Sequence, residues 1–160
     1  MIKKTIFDEL HTTFNTVLTY VDNTLIEAKK NGGKVWEGKK NFKTFLQDIE
    51  KTAIKKTAEE LKLTVSTVNE RWKVLTLPYP FYFAVENGAM SYSKLKPMIN
   101  FNFDFNGDKD NECAKRILSR IINDNKPLKD VAQEEMLVDG IWNESDITMR
   151  RIAEQHGITE

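Results

Sequence analysis

The stretch from Thr57 to Leu77, TAEELKLTVSTVNERWKVLTL, constrains the fold more than any other part of the chain. It predicts two short helices joined by a tight turn, which Leu63 closes. Thr64 is a good N-cap, because its hydroxyl can accept a hydrogen bond from a backbone N–H at the start of the second helix. That helix carries an apolar stripe at helical period: Val65, Val68, Trp72 and Leu75. The arrangement is a helix-turn-helix.

The face opposite this stripe is polar. At about 100° per residue it holds Ser66, Thr67, Glu70 and Lys73, with Asn69 and Arg71 on its flanks. A short helix with one buried stripe and an exposed face of hydroxyls, amide and cations suits the major groove of DNA. Lysines on the preceding helix would contact phosphates. The predicted DNA-binding residues are Thr64, Ser66, Thr67, Asn69, Glu70, Lys73, Lys55 and Lys56.

The segment that follows makes the pattern more specific. TAEELKLTVSTVNERWKVLTLP, continued by FAVENGAMSYSKLKPMI, resembles the helix-turn-helix region of the ParB family of chromosome and plasmid partition proteins, over about residues 53–99. The shared features are Leu77-Pro78 after the reader helix, a short helix around Ala84 to Asn87, a turn at Gly88, and a helix opened by Ser91. The resemblance implies sequence-directed DNA binding, with the helix from Val65 to Leu75 as reader.

Three features depart from the family pattern. Lys62 stands in the turn where Gly is usual, which costs about 1 kcal/mol because the position needs a positive φ. Arg71 stands where an apolar residue is usual, so we expect the reader helix to pack mainly through Trp72. Residues 1–50 contain no Gly- and Arg-rich phosphate box of the family's nucleotide-binding domain. We therefore expect no nucleotide hydrolysis and no cofactor.

The chain as a whole has no net charge, because it carries 24 basic and 24 acidic side chains. Its charge therefore favours DNA binding only in local segments. Lysine dominates from Ala28 to Lys56, just before the motif, and acidic residues dominate from Asp104 to Glu160. The lysines are either solvated faces of helices or phosphate contacts. The adjacency of Lys51, Lys55 and Lys56 to the motif favours phosphate contact.

Residues 6–28 predict a long amphipathic helix, stopped by Asn31-Gly32-Gly33. Its stripe is either core or the seam of a dimer, and a dimer would suit a motif that reads half-sites. Asn41 caps a second helix. The stripe of the first helix is Phe7, Leu10, Phe14, Val17, Val21, Leu25 and Ala28, and the core side of the second is Phe42, Phe45, Leu46 and Ile49.

Three segments after the reader helix allow more than one interpretation. The aromatic residues of PYPFYF (Tyr79, Phe81, Tyr82 and Phe83) indicate core rather than a base-stacking platform. NFNFDFN, from Asn100 to Asn106, alternates with period two and predicts a strand, or else an extended linker with its phenylalanines docked on helices. In the segment DFNGDKDNE, Asp and Asn recur at every second position, as in a calcium-binding loop. Its Gly does not stand at the sixth position of such a loop, and no Glu stands at the twelfth, so we expect a turn and no metal. Helices are predicted at 111–123 and from Pro127 to Gly140.

The last stretch, DITMRRIAEQHGITE, resembles the opening motif. Ile152, Ala153, Glu154, Gly157 and Ile158 match the first helix and turn of another helix-turn-helix. Either this similarity is accidental or the sequence is truncated just after the turn of a second motif, and we favour truncation.

No motif predicts catalysis. The two histidines and single cysteine lack metal-ligand spacing, and no phosphate loop, dinucleotide fingerprint or nucleophile elbow occurs. The lone Cys113 suits a reducing cytosol. No apolar run approaches 18 residues and no signal peptide is recognisable, so we expect a cytoplasmic protein that is not an enzyme and does not bind membranes.

Together these observations predict a mainly α-helical fold with a helix-turn-helix core and at most one short β pairing. The predicted segments are an N-terminal helix (1–33), a DNA-binding domain (34–100) and an acidic helical region (101–160). The predicted function is sequence-specific binding of double-stranded DNA by a dimer, as a regulator, partition adaptor, or phage or plasmid factor. The alternatives are a protein-interaction or scaffolding module and a ring-forming, small-terminase-like phage packaging subunit.

Overall fold

The computed structural model describes residues 6–30 and 41–159, and in that part of the chain it consists of α-helices without a strand. The helices are α1 (Ile6–Lys30), α2 (Phe42–Leu61), α3 (Val65–Leu75), α4 (Tyr79–Glu86), α5 (Tyr92–Leu95), α6 (Asp108–Asp124), α7 (Leu128–Asp139) and α8 (Ile147–Gln155), with a 3-10 helix at Lys96–Asn100. The mainly α-helical prediction is confirmed. None of the described helices is long and apolar enough to cross a membrane. The predicted stop at Asn31-Gly32-Gly33 lies outside the described residues.

The contacts divide the chain into two compact units. Unit 1 comprises Met1–Trp72 and Asp146–Glu160, and unit 2 comprises Lys73–Ser145. This grouping differs from the three segments expected from the sequence, because α8 packs with α2 although the two helices are far apart in the chain. Burial of Met149 and Ile152 of α8 in the core of unit 1 explains that packing.

The apolar stripe of α1 forms part of the core of unit 1. Val17, Val21 and Leu25 have no exposed surface and lie in this core, because α2 covers this face of the helix. Leu10 is also fully buried. The apolar face that a dimer seam would need is therefore already covered within unit 1. The same core takes in Phe42, Phe45, Leu46 and Ile49 of α2, as predicted, with Val68 and Trp72 of α3 and Ala153 and Ile158 near the end of the chain.

α2 is a single helix of 20 residues. Asn41 caps it as predicted, since its side chain accepts a hydrogen bond from the backbone N–H of Thr44 at 2.8 Å. The prediction of a short first helix for the motif is wrong. No Gly or Pro interrupts the run from Phe42 to Leu61, and the buried Ala53 and Ile54 continue the apolar side into the motif.

Unit 2 packs α4, α6 and α7 around a second core, with Phe81, Cys113, Ile117 and Val131 almost fully buried. The helices of unit 2 begin and end where the capping residues in the sequence predicted. The Ser91 side chain accepts from the N–H of Lys94 at 3.2 Å, and Gly88 and Gly140 take the left-handed conformation that ends helices.

The aromatic cluster of α4 is only partly core. Phe81 is fully buried, but Tyr79 and Phe83 are 52% and 43% exposed. Their rings stack on each other with centroids 5.2 Å apart. The prediction of core is therefore wrong for these two residues. They stand four residues apart and share the outer face of an exposed helix, whereas Phe81 lies on its inner face.

The strand predicted from Asn100 to Asn106 is absent from the described residues. The carboxylate of Asp104 accepts from the N–H of Asn106 at 3.0 Å, and its carbonyl accepts from the N–H of Gly107 at 3.1 Å. This side-chain turn competes with an extended ladder. Phe103 is buried against Phe81, with centroids 5.3 Å apart, which agrees with the alternative of a docked linker.

The segment that invited comparison with calcium loops is held by internal hydrogen bonds. A carboxylate oxygen of the buried Asp110 accepts from the N–H of Asp104 and from the side-chain amide of Asn143, each at 2.6 Å. Gly107 precedes α6, as the predicted turn requires. Within residues 6–30 and 41–159, no group of three or more His, Cys, Asp and Glu side chains is arranged to hold a metal ion.

The turn after α8 is closed by the same kind of hydrogen bond as the turn after α2. The N–H of Ile158 donates to the carbonyl of Ala153 at 2.9 Å, and the N–H of Leu63 donates to that of Ala58 at 3.0 Å. The residue before each donor, Gly157 or Lys62, has a positive φ. The sequence similarity between the two segments therefore corresponds to a shared closing bond and a shared left-handed position.

Candidate nucleic-acid interface

The turn between α2 and α3 depends on one left-handed residue. Lys62 has φ 56° and ψ 44°, the conformation that Gly takes at lower cost. The bond from the N–H of Leu63 to the carbonyl of Ala58 closes the turn and satisfies a carbonyl at the helix end. Leu63 packs against the core of unit 1, and this contact helps to offset the strain at Lys62. The positive φ expected at Lys62 is confirmed.

Two threonines cap the start of α3. The Thr64 hydroxyl accepts from the N–H of Thr67 at 3.1 Å, as predicted, and donates to the Thr67 hydroxyl at 2.9 Å. Both side chains therefore stabilise the first turn of the helix. Ser66, between them in sequence, is exposed and is not part of this cap.

The inner side of α3 is anchored by Val68 and Trp72, which are 0% and 1% exposed. The Trp72 ring stacks on Phe14 of α1 with centroids 4.8 Å apart, and its Nε1–H donates to Glu50 Oε2 of α2 at 3.0 Å. The predicted place of Val65 in this buried stripe is wrong, since Val65 is 52% exposed. Val65 is the first residue of the helix, where none of the described elements covers the stripe.

The Arg71 side chain is bound to α1. Its Nη1 donates to Thr13 Oγ1 at 3.2 Å, and its Nη2 lies 3.6 Å from Glu9 Oε2. These partners explain why an arginine can stand where the motif usually has an apolar residue. A cleft of about 230 Å³ on this side is also lined by Asp8 and Leu63. Its carboxylates would repel phosphate, so this edge of α3 is unsuited to DNA.

The exposed face of α3 is centred on Ser66, Asn69 and Lys73. These residues are spaced three and four apart and therefore share one side of the helix. Ser66 and Lys73 are exposed, and Asn69 and Glu70 are half-buried beside them. Thr67, which was predicted on this face, is instead bound to the cap, and its position borders the buried Val74.

The two predicted phosphate-binding lysines do not lie together. Lys55 and Lys56 are both exposed, but the Lys56 ammonium lies 5.8 Å from the centroid of the Tyr20 ring on α1. The Tyr20 hydroxyl donates to Glu60 Oε1 at 2.9 Å, and this bond is the main reason that the pKa of Tyr20 is raised. On the helical wheel of α2, Lys55 and Lys56 stand about 140° and about 120° from Glu50, which receives Trp72. Neither shares the face of α2 on which α3 packs.

The structure therefore brings together Ser66, Asn69, Glu70 and Lys73, assigns Thr64 and Thr67 to the cap, and leaves Lys55 and Lys56 on other faces of α2. Two contributions were missed from the sequence. One is the exposed Val65, and the other is the contact of Glu9 and Thr13 with Arg71. The only signal for the second was an arginine at an apolar position.

No family model, no curated protein and no solved structure matches this chain. Function is therefore inferred from the geometry of the turn, the cap and the exposed face of α3.

Proposed function

We propose that this chain is a non-enzymatic, sequence-specific binding protein for double-stranded DNA and that α3 is its reader helix. The observation that carries the proposal is the combination of a tight left-handed turn, a capped helix start and a helix that is buried on one side only. Trp72 and Arg71 fix the inner side of α3, and Ser66, Asn69 and Lys73 remain outward. The resemblance of residues 53–99 to the ParB reader module points the same way.

The exposed face offers groups that suit base edges in the major groove. The Asn69 amide can donate to and accept from adenine, the Ser66 hydroxyl suits several bases, and Lys73 suits guanine or a phosphate. The exposed methyls of Val65 lie at the helix start, where reader helices approach bases, and would contact a thymine methyl. Glu70 would accept from a cytosine amino group.

Phosphate contacts would supply affinity without sequence information. Of the two predicted lysines, Lys55 is the one that we expect to contact phosphate, since Lys56 lies over the Tyr20 ring. The biological setting would be transcriptional regulation, partition, or a phage or plasmid function, with a dimer reading two half-sites. We propose no nucleotide hydrolysis.

Fluorescence anisotropy on a pool of random duplexes tests whether the chain binds DNA at all. Binding should weaken steeply between about 50 and about 200 mM salt, because each phosphate contact releases counterions. Selection from the same pool should then yield a preferred site. If no binding occurs even at low salt, the DNA proposal fails and the interaction-module alternative takes its place.

Substitutions separate base contacts from phosphate contacts. Asn69→Ala and Ser66→Ala should each weaken binding to the selected site, by about 1–3 kcal/mol for a good base contact, and change binding to scrambled duplex little. Lys55→Ala should weaken both alike and flatten the salt dependence. Gln47→Ala, at an exposed neutral position of α2, serves as the matched control. Equal losses on both duplexes for Asn69→Ala would show that α3 is not the reader.

A further inference from the structure

A cleft in unit 1 lies beside α3 but away from the face that we propose as the reader. Its lining comes from the start of α1, the end of α2, the turn after α2 and the inner edge of α3. The cleft has a volume of about 230 Å³. Since a water molecule in the liquid occupies about 30 Å³, it has room for about eight waters. This space suits a small organic molecule.

The cleft carries charges of both signs. Arg71 of α3 lines it together with Asp8 and Glu9 of α1. An anion without a positive group would meet two carboxylates, and a cation without a negative group would meet the guanidinium. A zwitterion suits both, because its carboxylate can pair with the guanidinium while its ammonium pairs with the acids. The charges of the lining therefore favour a ligand that carries one ammonium and one carboxylate.

Arg71 has unused hydrogen-bonding capacity in this cleft. A guanidinium has five N–H donors. Within residues 6–30 and 41–159, the one hydrogen bond of this side chain runs from Nη1 to Thr13 Oγ1 at 3.2 Å. Its Nη2 lies 3.6 Å from Glu9 Oε2, which is longer than a charge-assisted hydrogen bond, and the Glu9 side chain is 49% exposed. An ion pair this exposed contributes little, so a ligand carboxylate can replace Glu9 at small cost.

The Thr12 hydroxyl is a second unused group on the wall of the cleft. Along α1, other threonine hydroxyls each donate to the carbonyl four residues earlier, as Thr13, Thr16, Thr19 and Thr24 do. The exposed Thr12 side chain makes no such bond in the part of the chain that the structure describes. Its hydroxyl can therefore accept from the ammonium of a ligand or donate to the carboxylate.

The rest of the wall is apolar. Leu61 ends α2 and Leu63 closes the turn before α3, and both are half-buried where they line the cleft. An apolar ligand side chain against these two leucines would be removed from water favourably, whereas a polar one would lose its hydration without gaining a partner. Charged groups for both ends of a zwitterion and an apolar wall for its side chain together fit an α-amino acid whose side chain is apolar.

We propose that this cleft binds a free α-amino acid with an apolar side chain. Arg71 would pair with the carboxylate of the ligand, and Glu9 and Asp8 with its ammonium. A ligand held in this way contacts α1 and α3 together, so its binding stabilises the folded form of unit 1. The site does not depend on DNA binding and is tested without DNA. Failure of either proposal therefore leaves the other standing.

Isothermal titration calorimetry of the full chain with L-leucine tests the site. L-leucine should bind with a Kd below about 1 mM and should raise the melting temperature of unit 1. Two analogues are matched controls for the charges of the ligand, since 3-methylbutylamine lacks the carboxylate and 4-methylpentanoate lacks the ammonium. Each analogue should bind at least about 10-fold more weakly than L-leucine, because one sign of charge in the cleft is left without its partner.

Two substitutions test the two ends of the site. Arg71→Gln removes the partner of the carboxylate, and Glu9→Gln removes a partner of the ammonium. Each should raise the Kd for L-leucine at least about 5-fold. Glu9 is exposed, so its variant should show the circular dichroism of the wild type even if Arg71→Gln folds poorly. Glu27→Gln is the matched control, because Glu27 is also an exposed acid of α1 but does not line the cleft, and it should bind L-leucine like the wild type.

Three results would overturn the assignment. The first is a wild-type chain that binds neither L-leucine nor any other apolar L-amino acid at about 10 mM. The second is equal affinity for L-leucine and either analogue, since the cleft would then not recognise a zwitterion. The third is an unchanged Kd in both Glu9→Gln and Arg71→Gln, or an equal loss in Glu27→Gln, because L-leucine would then bind elsewhere on the chain.

Discussion

Replacing Trp72 tests whether the reader helix is held as described. Trp72 contacts α1 through its ring stack with Phe14 and α2 through the bond from its Nε1–H to Glu50. It is 1% exposed. Trp72→Ala removes both contacts, whereas Trp72→Phe keeps an aromatic ring and removes the hydrogen-bond donor.

The two substitutions should differ in magnitude. Truncating a buried aromatic residue to alanine costs about 3–5 kcal/mol in unfolding free energy, part of which is the ring stack with Phe14 at about 0.5–1.5 kcal/mol. Trp72→Phe loses a hydrogen bond to a charged group, worth about 1.5–3 kcal/mol. In a unit of 60–100 residues, each kcal/mol lowers the melting temperature by about 4–8 °C. Trp72→Ala should therefore lower it by at least about 12 °C.

Thermal unfolding followed by far-UV circular dichroism measures the effect. Because the chain has two units, their transitions can separate. Cys113 is fully buried in unit 2, so the reaction of its thiol reports the unfolding of that unit. We expect Trp72→Ala to shift the transition of unit 1.

Trp142→Ala is the control, measured at a concentration too low for self-association. Its side chain is 74% exposed, so its loss should change stability by about 0.5 kcal/mol or less. A Trp72→Ala variant that melts like the wild type would show that Trp72 does not anchor α3. A Trp142→Ala variant as damaged as Trp72→Ala would show that burial does not set the loss.

Three further predictions concern unit 2. Asp110→Ala should destabilise it by about 1–3 kcal/mol in urea titrations, because one buried and one partly buried donor lose their acceptor, and Asp110→Asn should cost less. Burial acts to raise the pKa of Glu135, but hydrogen bonds from Arg116 and Arg120 and their charges lower it below 4.5. The stability that this cluster provides should be present above about pH 4.5 and be lost as the pH falls through the folded-state pKa, so Glu135→Gln should flatten the acid side of a stability–pH curve. Burial raises the pKa of Cys113 to about 11, so an aromatic disulfide reagent at neutral pH should modify the unfolded protein and leave the native protein unmodified.

The sequence by itself determined the local features of the fold. The caps at Asn41, Thr64 and Ser91 and the left-handed residues at Lys62 and Gly140 stand where it predicted them. These features depend on interactions between residues a few positions apart, such as a side chain and the N–H three residues later. Their physical causes can be identified without knowing which distant segments meet. The helical period of α1 and the core side of α2 follow in the same way.

The tertiary structure decided every question that depends on distant partners. A period of three and four shows that one face of α1 is apolar, but only the packing of α2 on it shows that the face is core. The phenylalanines from Asn100 to Asn106 have strand periodicity, yet the hydrogen bonds of Asp104 and the contact of Phe103 with Phe81 outweigh it.

The candidate site shows the same division. The sequence identified α3 and its outward residues Ser66, Asn69 and Lys73. Only the folded chain showed that Thr67 is engaged in the cap, that Val65 is exposed and that Arg71 is bound to Glu9 and Thr13, which lie about sixty residues earlier. The reason is physical: periodicity fixes which residues share a face, but burial and pairing depend on what the rest of the chain places against that face.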